Sequence, residues 1–280
     1  MLARRCQPVH FANLHDAELR GFSQWGEDGS LDFLCDALGL AKPRMVEFGA
    51  GNFKECNSRF LAEARSASVV AVDARTDLLD AFEGSDLLWR TSIHPLVRFL
   101  TPANAVEVFS EARSLFGGHP PDIFSLDLDG IDYWIMESLD LTGVRVIVVE
   151  YNPLFGPKRA VTVPRAETFD RREEHHSWLY FGASLRAWLV LLGSRGYTFV
   201  GANRQGNNAF FVESESVGLV PIDRVDDSDL ERFIQWNVRE SRDREGRLSF
   251  LSGTDRQDVM RDMPLIDVLT GESTTVGATI

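Results

Sequence analysis

Apolar positions switch between helical and strand spacing along most of the chain. Leu31, Phe33, Leu34, Ala37 and Leu38 share a helical face within Ser30–Leu38, and Gly39 closes that helix. Pro43 separates it from a strand at Met45–Phe48. Asn57 or Ser58 can cap a helix that reaches Arg65, and Val69–Val72 forms a short strand ending at Asp73. Leu87–Ile93 reads as a third strand. A helix follows Pro102, a residue suited to a first helical turn, and runs to Phe116. Ile123–Leu128 is a strand, Ile131–Leu139 a short helix and Val144–Val149 the most apolar strand. Such β-branched runs suit strands buried on both faces of a parallel sheet. Leu179–Leu192 reads as an apolar helix ended by Gly193. Tyr197–Gly201 and Ala209–Val212 are strands, and the Asn and Gly residues between them predict an antiparallel hairpin.

Five β/α units followed by a hairpin predict an α/β chain with a doubly wound, Rossmann-like seven-stranded sheet. Such a sheet binds ligands at the carboxyl ends of its strands. Residues 1–22 form a lead-in and 23–213 the main domain. The polar, Pro-containing stretch 153–177 is expected as an insertion over the site. Residues 214–280 are expected as a C-terminal helical extension, with Asp229–Val238 helical and Gly271–Ile280 a mobile tail.

The 44% hydrophobic content of the 280 residues suffices for a sizeable core. A formal net charge of -13 argues against a nucleic-acid or anionic-membrane surface, since both need clustered Lys and Arg. No apolar run nears the ~20 residues of a membrane span, and none follows Arg4 and Arg5 as in a signal peptide. A cytoplasmic location is expected, without nucleic-acid or membrane partners, and a homo-oligomer is left open. Cys6, Cys35 and Cys56 are odd in number and fit no zinc spacing, so reduced thiols are expected.

Glu47-Phe48-Gly49-Ala50-Gly51 links a strand to a helix, where glycine lets the backbone approach a ligand closely. Asp73 ends the next strand, a position from which a carboxylate can accept from both ribose hydroxyls. A phosphate-binding loop would need Gly-Lys-Ser/Thr, which is absent. A dinucleotide site wants a third glycine, yet Asn52, Phe53, Lys54 and Glu55 follow Gly51. S-adenosylmethionine (SAM) has no phosphate, and its ammonium and sulfonium suit Glu47. The loop points first to SAM, with a nicotinamide or flavin dinucleotide and a plain structural turn as alternatives.

Ser23-Gln24-Trp25-Gly26-Glu27-Asp28-Gly29 lies upstream of this loop, and Asn57-Ser58 opens the next helix. Leu126-Asp127-Leu128-Asp129-Gly130-Ile131-Asp132 ends one strand and Val149-Glu150-Tyr151-Asn152 the next. As a set, over residues 22–213, these segments resemble the FkbM-type methyltransferases, a class I SAM-dependent group. The resemblance implies a class I methyltransferase fold and SAM as cofactor. It also implies methylation of a hydroxyl on a saccharide or natural-product small-molecule acceptor. It would set Glu47, Gly49, Ala50 and Gly51 around the methionine part, Asp73 on the ribose, and Gln24 and Asn57 near the carboxylate. Asp127 would join the cofactor set. The family usually carries glutamates where this chain has Asp129 and Asp132. Alternatives are an amine or phosphate-type acceptor, or a non-catalytic binding or assembly subunit of the same fold.

Asp127, Asp129 and Asp132 leave one strand end, and Glu150 and Asn152 the neighbouring one. Carboxylates crowded on one rim repel and raise each other's pKa. A divalent cation such as Mg²⁺, held by Asp129, Glu150 and Asn152, would relieve this. Otherwise one carboxylate keeps a proton and serves as a base, or Asp132 merely caps the short helix. Methyl transfer needs an aligned acceptor oxygen and a base for its proton. Asp132, His175 and His176 are the catalytic candidates. Lys158, Arg159, Arg165, Arg171 and Arg172 would meet an acidic acceptor, or form a solvated loop. Trp178, Tyr180 and Phe181 would stack on a sugar, or belong to the core.

Overall fold

A computed structural model describes residues 9–83, 86–236 and 240–278; Cys6 and the Arg4-Arg5 pair lie outside them. The strands are β1 (Arg44–Phe48), β2 (Ser68–Asp73), β3 (Ser92–Val97), β4 (Ile123–Leu126), β5 (Val146–Glu150), β6 (Val161–Thr162), β7 (Tyr197–Ala202), β8 (Asn208–Glu213), β9 (Pro264–Asp267) and β10 (Ser273–Thr275). Helices are α1 (Glu27–Leu38), α2 (Arg59–Arg65), α3 (Leu87–Arg90), α4 (Ala105–Leu115), α5 (Asp132–Ser138), α6 (Arg171–Glu174), α7 (Leu185–Ser194) and α8 (Asp255–Asp258).

Seven strands form one mixed sheet in the order β3-β2-β1-β4-β5-β8-β7. The first five are parallel, while β8 runs antiparallel to both β5 and β7. This is the doubly wound sheet with a terminal hairpin that the hydrophobic pattern predicts. Its inner strands are buried on both faces, and period-two alternation divides their side chains. Val46, Val70, Phe124 and Ile147 pack with Val108 and Phe109 of α4 and Trp188 of α7. Met45, Val69, Ile123 and Val146 pack with Leu31 and Leu34 of α1 and Leu61 of α2.

Three segments differ from expectation. Leu87–Ile93 begins as the helical turn α3, and β3 starts only at Ser92. Trp89 is 78% exposed there, so the apolar run is not a buried strand. The helix expected from Leu179 begins at Leu185, where the Ser184 hydroxyl accepts from the Ala187 amide. Residues 179–183 are buried outside it, and an unbroken apolar run has no period to separate the two states.

The third difference is the C-terminal region. Asp227–Phe233 is a 3-10 turn rather than an α-helix, and Val238 lies outside the described residues. The expected tail instead carries β10, which pairs with β9, which in turn pairs with β6 of the insertion. Leu265 and Val276 are buried there. The Arg159 guanidinium donates to the carbonyls of Thr275 and Val276, tying the insertion to this second sheet. Among the described residues no helix is long and apolar enough to cross a membrane.

Candidate functional site

Strand order reverses between β1 and β4, because the chain builds outward to β3 before returning. Doubly wound sheets form their ligand crevice at that point. A cavity of about 440 Å³ opens there, within the usual size of a small-molecule site. Gly49 and Gly51 follow β1, Asp73 ends β2, and Asp127 to Ile131 follow β4; all of them line it.

The tightest point is Gly49. It has φ 93°, and a Cβ there would lie 1.7 Å from the Asp127 carbonyl oxygen. Only glycine fits. The amides of Gly49 and Ala50 donate to the Val72 carbonyl, folding the loop back over β2. The Asp73 carboxylate continues this clamp. It accepts from the Gly51 amide (2.7 Å) and, through its other oxygen, from the Arg75 amide (2.9 Å). A carboxylate has about four acceptor positions, so two remain for a ligand.

Glu47 does not reach the cavity wall. It is buried, and its two oxygens accept from the Asn57 (2.7 Å) and Ser58 (3.0 Å) amides at the start of α2. Burial pushes its pKa up to about 7 despite those bonds. The expectation that Glu47 meets a ligand ammonium is replaced by a structural one: it satisfies free amides at a helix start. Asn57 is also buried, and its side-chain amide donates to the Ser125 hydroxyl (3.0 Å). Ala50 is fully buried in the core.

The upstream motif divides in the same way. Gln24 lines the cavity. Asp28 is buried and accepts from the amides of Gly21, Phe22 and Ser23. Glu27, also buried, accepts from the side-chain amides of Asn203 and Asn208 in the terminal hairpin. Most of the motif thus locks the lead-in and the hairpin around the one residue that reaches the ligand space.

On the β4–β5 rim, one carboxylate oxygen from each of Asp127, Asp129 and Glu150 lies within 4.8 Å of the others. Asp127 and Asp129 line the cavity; Glu150 is buried behind them. Asp129 has φ 57°, a left-handed conformation that Asp tolerates better than most residues, and its carboxylate pairs with Arg171 at 3.4 Å. Asn152 does not join this group. Its side-chain amide donates to the Leu179 and Phe181 carbonyls, and its oxygen accepts from the Leu154 amide.

Asp132 is buried at the start of α5. It accepts from the Leu128 (2.7 Å) and Gly130 (2.9 Å) amides, so it shapes the loop that carries Asp127 and Asp129. Burial, reinforced by the charge of Glu150, pushes its pKa up to about 7. The value suits a base, but the carboxylate faces its own backbone rather than the cavity.

The histidines fall away from the site. Arg171 and Arg172 of α6 line the cavity, as does Phe169, whereas His175 follows the far end of that helix. His175 accepts from the Ser177 amide at Nδ1 and packs at a tilt against His176, with ring centroids 4.2 Å apart. Burial, with His176 beside it, lowers its pKa to about 4, and neither histidine lines the cavity. Tyr180 and Phe181 are buried in the core, and Arg172 and Arg242 both stack on Trp178. Arg159 is held by the C-terminal strands.

Arg75, Arg98 and Phe99 also line the cavity and were not anticipated. They follow β2 and β3, and the rule that ligands sit beyond strand carboxyl ends would have found them.

No family model and no curated protein matches the chain. Solved structures do. The bifunctional kinase-methyltransferase WbdD is 13% identical over 65% of this chain, with a TM-score of 0.37, and this chain spans 37% of its length. TehB from Haemophilus influenzae is 11% identical over 65% of this chain and 61% of its own, with a TM-score of 0.37. Coclaurine N-methyltransferase, solved with N-methylheliamine and SAH, is 11% identical over 66% of this chain and 54% of its own, with a TM-score of 0.36.

Proposed function

We propose that the protein is a SAM-dependent O-methyltransferase of the FkbM type that methylates a hydroxyl of a carbohydrate or glycosylated natural product. One observation carries this reading. The glycine loop, the Asp73 carboxylate and the acidic rim of Asp127 and Asp129 line one cavity at the strand-order reversal. The strand order with its terminal antiparallel hairpin agrees with a class I methyltransferase fold.

In this reading Gly49 and Gly51 let the backbone pass close to the methionine part of SAM. Asp73 uses its two remaining acceptor positions on the ribose hydroxyls. Gln24 stands at the same wall for a polar end of the cofactor. Glu47 and Asp132 act through backbone amides, and Asn57 through the Ser125 hydroxyl, as positioning residues. Phe169, Arg171 and Arg172 form the wall contributed by residues 153–177 and would face the acceptor.

The donor set of Asp127, Asp129 and Glu150 fits a hard divalent cation such as Mg²⁺, which prefers carboxylate oxygens. When bound, such a cation would lower the pKa of a sugar hydroxyl. Asp127 and Asp129 are the rim carboxylates at the cavity, so without a cation they, rather than Asp132 and the two histidines, would take the hydroxyl proton.

Calorimetric titration with SAM tests the cofactor: a folded protein that does not bind it refutes the reading. Transfer of a labelled methyl group from SAM to a panel of sugar acceptors tests the reaction. Transfer that EDTA leaves undiminished removes the metal.

A further inference from the structure

Arg256, on the short helix α8, is 2% exposed, yet its Nε and Nη2 have no hydrogen-bond partner. Four buried carboxylates are treated differently. Glu27, Asp28, Glu47 and Asp132 each accept at least two hydrogen bonds. A guanidinium stays protonated in proteins, so a buried unpaired one is costly. Burial lowers the Arg256 pKa with no partner raising it.

Arg256 also borders a cavity of about 340 Å³, whose other sides include Ser241, Leu248, Phe250, Leu251 and Ser252. The apolar side is unusual. Phe250 is 84% exposed and has φ 54°, a conformation seldom adopted by aromatic residues. Leu248 is 39% exposed. Glu240 lines the cavity as well, but its carboxylate is held by Arg242 at 2.7 Å. The space therefore combines one buried cation, the Ser252 hydroxyl, the Ser241 hydroxyl bonded to Ser249, an ion-paired Glu240 and an apolar ledge.

We propose that this cavity binds a small organic oxyanion, with a carboxylate or phosphate head on Arg256 and an apolar group against Leu248 and Phe250. A guanidinium presents paired donors that match either head. The site is separate from the cavity at the glycine loop and does not depend on the methyltransferase reading.

Titrating the full chain with benzoate, phenyl phosphate, inorganic phosphate and benzyl alcohol tests it, read by thermal unfolding and calorimetry. Benzoate or phenyl phosphate is expected to bind saturably and raise the midpoint, and their ranking identifies the preferred head. Inorganic phosphate should bind more weakly and benzyl alcohol not at all. Arg256→Met should weaken the anion by about tenfold or more. Without ligand this variant should melt no lower than the parent, because it removes an unpaired buried charge. No saturable response to either aromatic anion, or an equal response in the variant, overturns the proposal. A large drop in the variant's own midpoint does so too, since it would mark Arg256 as a structural strut.

Discussion

The loops after β1 and β4 are built to one plan with different outcomes. In each, a buried carboxylate binds two backbone amides and shapes a loop that lines the cavity. Glu47 does this for the start of α2 and Asp132 for residues 128–130. Burial raises both to about 7. The difference is the neighbour. Asp132 feels the charge of Glu150, on the rim that carries the candidate cation ligands. Glu47 feels only a lesser contribution from Asp28. One loop is therefore electrically coupled to the chemistry of the rim, and the other is insulated from it.

The largest test breaks the junction between the loops. Gly49→Ala would set a methyl group against the Asp127 backbone. It should destabilise the fold by about 3 kcal/mol or more and abolish SAM binding, as read by denaturant unfolding and calorimetry. Next come Glu47→Gln and Asp132→Asn. Each leaves one amide facing an NH₂ group, at a cost of about 1–3 kcal/mol.

The same two residues predict a pH dependence. In the folded chain each keeps its proton up to about pH 7, whereas the ordinary values of these side chains are 4.5 and 3.8. Their contribution to stability is present below those values and is lost as the pH rises to about 7. The thermal midpoint should fall across that window, and each variant should flatten the fall. Glu150→Gln, or millimolar Mg²⁺ if the rim holds it, should lower the Asp132 pKa and leave Glu47 unmoved. Equal shifts at both residues would dissolve the contrast between the loops. Asp73→Ala should weaken SAM by about tenfold, worth about 1.4 kcal/mol. The smallest effect is expected for His175→Ala, with methyl-transfer activity within about twofold of the parent and an unchanged pH profile.

Legibility in the sequence followed the range of the interaction. The sheet is readable because short apolar, β-branched runs and strand-to-helix spacing are local. Asp73 was placed at the cavity because its position follows from the end of one strand. Glu47 was misplaced because its partners sit ten residues on, where only tertiary folding shows that the amides of Asn57 and Ser58 need an acceptor. Asn152 looked like a ligand by residue type, yet three backbone groups occupy its side chain. His175 and His176 looked suitable by their intrinsic pKa, but burial shifts His175 and α6 carries both past the cavity. The acidic rim was legible as a cluster, though not which members face inward.

The second sheet has a consequence for local opening. Arg159 meets Val276 across 117 residues of sequence. Strand β6 has only two residues, and its partner β9 lies beyond the whole terminal hairpin. Closing so long a loop costs chain entropy that this short pairing must offset. Small units of this kind open at a lower free energy than a wide core sheet. Undocking of residues 264–276 would loosen the segment bearing Phe169 and Arg171, which the Arg171–Asp129 ion pair also ties to the rim, and would leave the seven-stranded sheet and its glycine loop paired.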